Sequence, residues 1–315
     1  MTKSKEELRI IFMGTPEFAV PSLDILVENG FNIVAVITST DKWGGRGKKK
    51  LLQSPVKKYA VDKGIPVLQP PNLKNPAFIK ELAGYRADIQ IVVAFRMLPA
   101  IVWDMPALGT INLHGSLLPS YRGAAPINHA VMNGEKVTGL TTFRLKHEID
   151  TGDLIGQSIV SIGEDETAGE LHDRMKIAGA VLMLDTMQRI VSDDIAYSTQ
   201  DESRVSKAPK IFHEDCHIDF NKPVREVHNF IRGLSPHPCA WCILDDLQLN
   251  IFKAEVVKET HEVLPGTIRS DRKKNLQIAA RDGWISLKYI QLSGRKRMDI
   301  ASFLNGYNVE NNCVK

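Results

Sequence analysis

Residues 89–94 read Ile-Gln-Ile-Val-Val-Ala, a short apolar run of the kind a strand needs when both its faces are buried. Such strands occupy the interior of parallel sheets, whose neighbours are joined by crossovers that are usually helical. The start of the chain supplies that rhythm. Residues 8–13 form an apolar run closed by Gly14-Thr15-Pro16-Glu17. Thr15 is placed to cap a helix, Pro16 suits its first position and Glu17 complements the positive end of its dipole. The helix runs to Asn29, Gly30 ends it, and residues 33–37 form the next strand. Helices over 55–63 and 76–82 flank a strand at 66–68. The expected architecture is an α/β, mostly parallel sheet with right-handed crossovers. Gly14 stands alone, without the Gly-x-Gly-x-x-Gly fingerprint, so nicotinamide or flavin dinucleotide binding has little support.

Residues 110–114 alternate strictly: Ile111 and Leu113 are apolar, while Thr110, Asn112 and His114 are polar. That is a strand period, which puts Asn112 and His114 on one face. Gly115 lets the backbone turn away, and Pro119 stiffens the turn beyond it. Strand carboxyl ends are where open α/β sheets bind ligands, so the pair is either a candidate active centre or a hydrogen-bonded core histidine beside a structural asparagine. A helix over 124–133 and a strand over 139–145 come next, then the turn sequence Glu148-Ile-Asp-Thr-Gly-Asp-Leu with its Asp150 and Asp153. A strand over 156–162 and a long helix over 168–191 close this half. An imidazole can take a proton near neutral pH, a carboxylate can orient it, and a carboxamide can donate to an oxygen that gains charge. With no serine or cysteine placed as a nucleophile, Asn112, His114 and Asp150 or Asp153 suit direct attack of an amine on an acyl carbon.

The net charge of +3 decides nothing about partners, but the charge is unevenly spread. Residues 39–51 form a glycine-rich loop in which Lys42, Arg46, Lys48, Lys49 and Lys50 face a single acid, Asp41. Its place on the ligand side of the sheet favours a phosphate or nucleic-acid contact over a plain solvated face. Residues 193–210 read as a polar linker. Beyond it, a helix over 224–233 precedes short strands at 240–244, 249–254, 266–268, 276–279 and 284–292, the texture of a small antiparallel barrel. Residues 269–297 carry nine basic residues against two acids, with Trp284 and Tyr289 among them, which fits either a polyanion site or an ordinary basic surface. Cys239 and Cys242 form a Cys-x-x-Cys that reads as a redox or metal pair, with His213, Cys216 and His217 as the nearest further ligands, or as part of a buried strand. No apolar run approaches the roughly 20 residues that span a bilayer, and the amino terminus lacks a secretion signal, so a cytoplasmic protein without membrane contact is expected.

His114-Gly-Ser-Leu-Leu-Pro-Ser-Tyr-Arg-Gly-Ala-Ala-Pro, followed by Asp150-Thr-Gly-Asp, resembles the signature of the folate-dependent formyltransferases, most closely the branch that formylates methionyl-tRNA. Ile11-Phe-Met-Gly-Thr-Pro-Glu-Phe, Gly45-Arg-Gly-Lys-Lys, Ser54-Pro-Val-Lys and Pro265-Gly-Thr-Ile extend the resemblance over the whole chain. Two segments depart from the family pattern: 95–99 is one residue shorter, and Ile149 stands where glycine is common. The resemblance implies a Rossmann-like catalytic domain over 1–192, a linker over 193–210 and an OB-like barrel that binds tRNA over 211–315. It implies 10-formyltetrahydrofolate as formyl donor, initiator methionyl-tRNA as acceptor, no metal, and a monomer. Carried over by motif, Asn112, His114 and Asp150 match the catalytic residues, Ser116, Leu117, Leu118 and Pro119 the folate-binding segment, and the loop with Lys42, Arg46, Lys48, Lys49 and Lys50 the tRNA contact.

Overall fold

The computed structural model describes residues 3–44, 47, 49–309 and 312–315. Its elements in chain order are β1 (Ile10–Gly14), α1 (Val20–Glu28), β2 (Ile33–Ile37), β3 (Lys42–Gly44), β4 (Lys50–Leu52), α2 (Pro55–Asp62), β5 (Val67–Leu68), α3 (Pro76–Gly84), β6 (Ile89–Val93), α4 (Ala100–Trp103), β7 (Thr110–His114), β8 (Arg122–Gly123), α5 (Pro126–Met132), β9 (Val137–Arg144), β10 (Leu154–Ser161) and α6 (Ala168–Val191). After these come β11 (Lys207–Ala208), α7 (Val224–Leu234), β12 (Ala240–Leu244), β13 (Leu247–Val257), β14 (Ile268–Ser270), β15 (Leu276–Ala280), β16 (Gly283–Leu292), β17 (Met298–Asp299) and α8 (Ile300–Gly306). The chain divides into two compact units: Met1–Arg122, Gly139–Val160 and Asp173–Lys207 form one, and Gly123–Thr138, Ser161–His172 and Ala208–Lys315 the other.

In the first unit seven strands run in the order β10-β9-β7-β6-β1-β2-β5. The pairs from β5 through β2, β1 and β6 to β7 are parallel, and β9 lies antiparallel on β7. This is the Rossmann-like arrangement expected, with β1 and β6 side by side where the chain reverses its direction of travel across the sheet. All five residues of β6 are buried, as the apolar run at 89–94 requires. The long helix packs on the sheet through its small face. A Cβ on Gly179 would come within 2.8 Å of the Leu113 side chain, and Thr186 shares a 2.8 Å hydrogen bond with Thr142.

Two sequence expectations need correction. Thr15 caps no helix: a 3-10 turn, Glu17–Ala19, intervenes with Pro16 at its amino end and no side-chain cap. Pro21, in the first turn of α1, moves the helix start to Val20 because a residue without an N–H is best tolerated there. The segment 39–51 is not a bare loop, since β3 and β4 pair as an antiparallel hairpin with Trp43 opposite Leu51. An aromatic residue facing an aliphatic one supports even a three-residue ladder. The segment 193–210 is ordered by a 3-10 turn at Glu202–Arg204 and by pairing of β11 with β8. The short helices α4 and α8 have no counterpart among the sequence expectations; α8 is capped by Asp299, which accepts from Ser302 N at 2.9 Å.

The second unit contains the barrel-like antiparallel sheet, ordered β12-β13-β16-β15-β14 with β17 on β16. Helix α7 covers its core with Val224, Val227, Ile231 and Leu234, spaced to lie on one helical face. Gly233 is needed where α7 meets α5, because a Cβ there would lie 2.4 Å from Met132 Cγ. Cys239 and Cys242 are free thiols, 5% and 0% exposed, and burial pushes each up to about 12. Thiolate is therefore scarce at neutral pH, and the pair belongs to the buried-strand reading rather than to redox chemistry. His213 and His217 pack on the Trp241 ring, with centroids 5.1 and 4.6 Å away.

His228 on α7 is 2% exposed, with Nε2 3.2 Å from Ala254 O and 3.6 Å from Asp165 Oδ1. Burial lowers its pKa, Arg225 and Arg232 add to that, and Asp165 opposes it. The ring is then harder to protonate folded than unfolded. Its contribution is complete above the unfolded value of about 6.5 and is lost as the pH falls below it. The urea midpoint of unfolding is expected to drop on acidification through that range, and His228→Gln to flatten the drop; an equally steep drop in the variant would assign it elsewhere. Among the described residues no helix is long and apolar enough to cross a membrane.

Candidate active site

The site forms where the parallel strands end. Gly14 at the end of β1 pairs with Val93 at the end of β6, and β7 lies beside β6 with Asn112 opposite Val92. This is the reversal point of the sheet, the position at which doubly wound sheets open a crevice. A Cβ on Gly14 would meet Ala19 Cβ at 2.7 Å, so the tight turn out of β1 depends on glycine.

His114 is 6% exposed, and its ring is held at one end and faces a carboxylate at the other. Nε2 lies 2.9 Å from Tyr121 O, and Nδ1 lies 3.8 Å from Asp150 Oδ2. A carbonyl oxygen only accepts, so the hydrogen of the neutral ring sits on Nε2 and the free lone pair on Nδ1. Nδ1 is thus the nitrogen that gains or releases a proton, and it faces Asp150. At 3.8 Å the two are an ion pair in prospect and not yet a hydrogen bond. Asn112 shares this face of β7, is half-buried, and has no side-chain hydrogen-bond partner among the described residues.

Asp150 sits in the turn between β9 and β10 with φ +57°, a left-handed conformation that aspartate tolerates better than most residues. Gln200 Nε2 donates to the carbonyls of both Asp150 and Gly152 at 2.8 Å. Gly152 lets the turn close, because a Cβ there would lie 1.7 Å from Arg144 O. Of the two carboxylates left open by the sequence, the fold brings Asp150 to His114. Asp153 instead pairs with Lys146 at 2.7 Å.

Ser116, Leu118 and Pro119 are buried and Leu117 is half-buried. Ser116 Oγ donates to Ser120 O at 2.6 Å, and Gln157 Nε2 donates to Leu118 O at 2.9 Å. Thr141 Oγ1 donates to Ser116 O and accepts from Leu118 N. These bonds fix the segment in place beside His114.

The hairpin of β3 and β4 leaves the same edge of the sheet, from the carboxyl end of β2. Lys42, Lys49 and Lys50 are exposed; Arg46 and Lys48 fall outside the described residues. Asp41, the one acid counted against these charges, turns back onto Lys57 at 2.6 Å and Gln69 at 2.7 Å, and these hydrogen bonds lower its carboxyl pKa. Trp43, which a count of charges overlooks, is 65% exposed on the hairpin. In the second unit the basic excess is smaller than the count over 269–297 implies. Arg269 pairs with Glu259 and stacks on Trp284, and Lys288 pairs with Glu255, whereas Arg297, 4.1 Å over Phe252, keeps its charge. No cluster of three His, Cys, Asp or Glu side chains suited to a metal occurs among the described residues.

The family model for formyl transferases matches residues 8–187, and that for the formyl transferase C-terminal domain matches residues 210–308. The methionyl-tRNA formyltransferase of Phocaeicola vulgatus is 51% identical over 318 residues, covering 98% of both chains. That of Bacteroides thetaiotaomicron is 49% identical over 312 residues, covering 96% of this chain and 97% of the relative. The chain belongs to the methionyl-tRNA formyltransferase family. Among solved structures of formyltransferases, a sugar 3N-formyltransferase crystallised with dTDP and 5-N-formyl-THF matches with a TM-score of 0.68 at 22% identity, covering 92% of this chain and 99% of that one. The N-formyltransferase of Helicobacter canadensis, complexed with folinic acid and dTDP-3-aminofucose, gives the same score and identity over 94% of this chain and 100% of that one. At that identity these two bear on the fold alone.

Proposed function

We propose that this formyltransferase moves the formyl group of 10-formyltetrahydrofolate onto the α-amino group of methionine charged on initiator tRNA. The observation that carries this reading is the convergence of an unpartnered Asn112 carboxamide and a His114–Asp150 pair at the end of the central strand. The near 50% identity to methionyl-tRNA formyltransferases supports the choice of acceptor. In the reaction the neutral amine attacks the formyl carbon and forms the new C–N bond. Asn112 donates to the oxygen that becomes an oxyanion, His114 Nδ1 takes the ammonium proton, and Asp150 stabilises the imidazolium. Collapse breaks the bond to the folate nitrogen, which receives a proton, and releases tetrahydrofolate. Segment 116–119 would line the folate side of the crevice. We further propose that the chain acts as a monomer; a charged tRNA as acceptor supports a cytoplasmic setting.

We assign catalysis to residues 1–192, a connecting role to 193–210 and part of the tRNA grip to 211–315, with the lysine-bearing hairpin supplying the rest. An amino sugar nucleotide is the rival acceptor, and a competition assay between it and methionyl-tRNA separates the two. Preferential formylation of the sugar would overturn the assignment. Lys42, Lys49 and Lys50 beside an exposed Trp43 fit a phosphate backbone with a terminal base to stack. If each lysine neutralises one phosphate, log affinity for tRNA falls against log salt with a slope of about −2 to −3. Trp43→Ala is expected to weaken tRNA binding about five- to 150-fold, from a stacking contribution of about 1–3 kcal/mol, while folate binding is unchanged. Equal loss for both substrates in equilibrium titrations would contradict the assignment.

A further inference from the structure

The residues that hold the His114–Asp150 pair close into a ring, and the one that closes it comes from the segment whose sequence reads as a plain linker. His114 Nε2 is fixed by Tyr121 O. The next residue, Arg122, donates from Nε and Nη2 to Gln200 Oε1 at 3.1 and 2.7 Å. Gln200 Nε2 in turn donates to Asp150 O and Gly152 O, both at 2.8 Å. Asp150 faces His114 again across 3.8 Å. Glu202 takes two further hydrogen bonds from Arg122, at 3.2 and 2.7 Å, and keeps its guanidinium in the plane that Gln200 requires.

We propose that Gln200 is a positioning residue for this site, oriented by Arg122, which sets how near the Asp150 carboxylate stands to the proton-carrying nitrogen of His114; the proposal rests on the reading of His114 and Asp150 given above. The separation makes the position consequential. At 3.8 Å a shift of under about 1 Å decides whether the two form a charge-assisted hydrogen bond. The turn is tightly built, with Asp150 in the left-handed region and Gly152 hard against Arg144 O, and Gln200 ties the carbonyls of residues 150 and 152 to one anchor. Only a side chain with two N–H donors and a carbonyl can bridge two backbone acceptors to an arginine, which is the inventory of a glutamine. Its amide orientation is fixed by these partners: turned over, its carbonyl oxygen would face two carbonyls and its NH2 a guanidinium.

The test is a double-mutant cycle read as single-turnover formyl transfer. Gln200→Ala is expected to lower the rate about ten- to 100-fold with little change in either KM, as misplacement of a catalytic group by up to about 1 Å does. Gln200→Glu keeps an acceptor for Arg122 but sets a carboxylate oxygen against the two carbonyls of the turn. It should lose at least as much activity as Gln200→Ala, with the folded fraction of each variant checked by its melting temperature. In an Asp150→Asn background, where the carboxylate is already gone, Gln200→Ala should remove less than about a further twofold. Full additivity in that background, or wild-type rates in both Gln200 variants, would overturn the positioning role while leaving the reaction intact. Absence of formyl transfer by the wild-type protein would overturn the functional reading and this inference together.

Discussion

Replacing His114 with alanine is expected to cut formyl transfer at least about 100-fold, the usual lower size of a general acid–base contribution. The reasoning begins with the ring's fixed tautomer. Tyr121 O, 2.9 Å from Nε2, accepts the ring hydrogen, which leaves Nδ1 as the base on the side of Asp150. The attacking amine becomes an ammonium as its bond to the formyl carbon forms, and without a base the intermediate reverts. His114→Gln separates this role from packing, since its amide can still donate to Tyr121 O but cannot take a proton at neutral pH. Both variants should fold, bind folate and bind tRNA, yet turn over slowly. Near-normal turnover in either would remove the proposed role of the imidazole.

Asn112→Ala is expected to lower the rate of the chemical step by about 100- to 1000-fold, the loss measured when one preorganised oxyanion donor is removed. The Asn112 carboxamide has no protein partner among the described residues and is only half-buried, so its N–H donors are free to meet a substrate oxygen. The KM values should change little, since the donor meets its full charge only in the tetrahedral intermediate. Asn112→Asp should be at least as slow as Asn112→Ala, because a carboxylate accepts and repels where a donor is needed. Stability is a further readout: with no protein hydrogen bond lost, the unfolding midpoint should stay near that of the wild-type chain. A rate loss accompanied by an equal rise in KM would make Asn112 a substrate-binding group instead.

Those two residues could be read from the chain because strand alternation is local: in Thr110-Ile-Asn-Leu-His the period alone sets which side chains share a face. The long helix was legible for the same reason, and Ala168–Val191 matches its expected limits. Choosing Asp150 over Asp153 was beyond periodicity, since it depends on where a turn places two carboxylates three residues apart and on Lys146 drawing one of them away. Gln200 gave no signal at all, lying in a polar stretch whose order comes from partners far off in sequence, Arg122 and the turn at 150–152. The same blindness to long-range pairing inflated the basic count over 269–297, because Glu255 and Glu259, which pair with Lys288 and Arg269, lie outside that stretch. Thr15 failed for a subtler reason. Its capping pattern was sound, but Pro21 offered a better helix start a few residues on.

The most direct measurement is mass spectrometry of the aminoacyl end of charged initiator tRNA after incubation with this protein and 10-formyltetrahydrofolate. The expected result is methionine carrying one added carbonyl on its amino nitrogen, formed quickly by the wild-type protein and slowly by His114→Gln. An unmodified methionyl end, or a product that forms as fast with His114→Gln as with the wild-type chain, would contradict the proposed chemistry at its root.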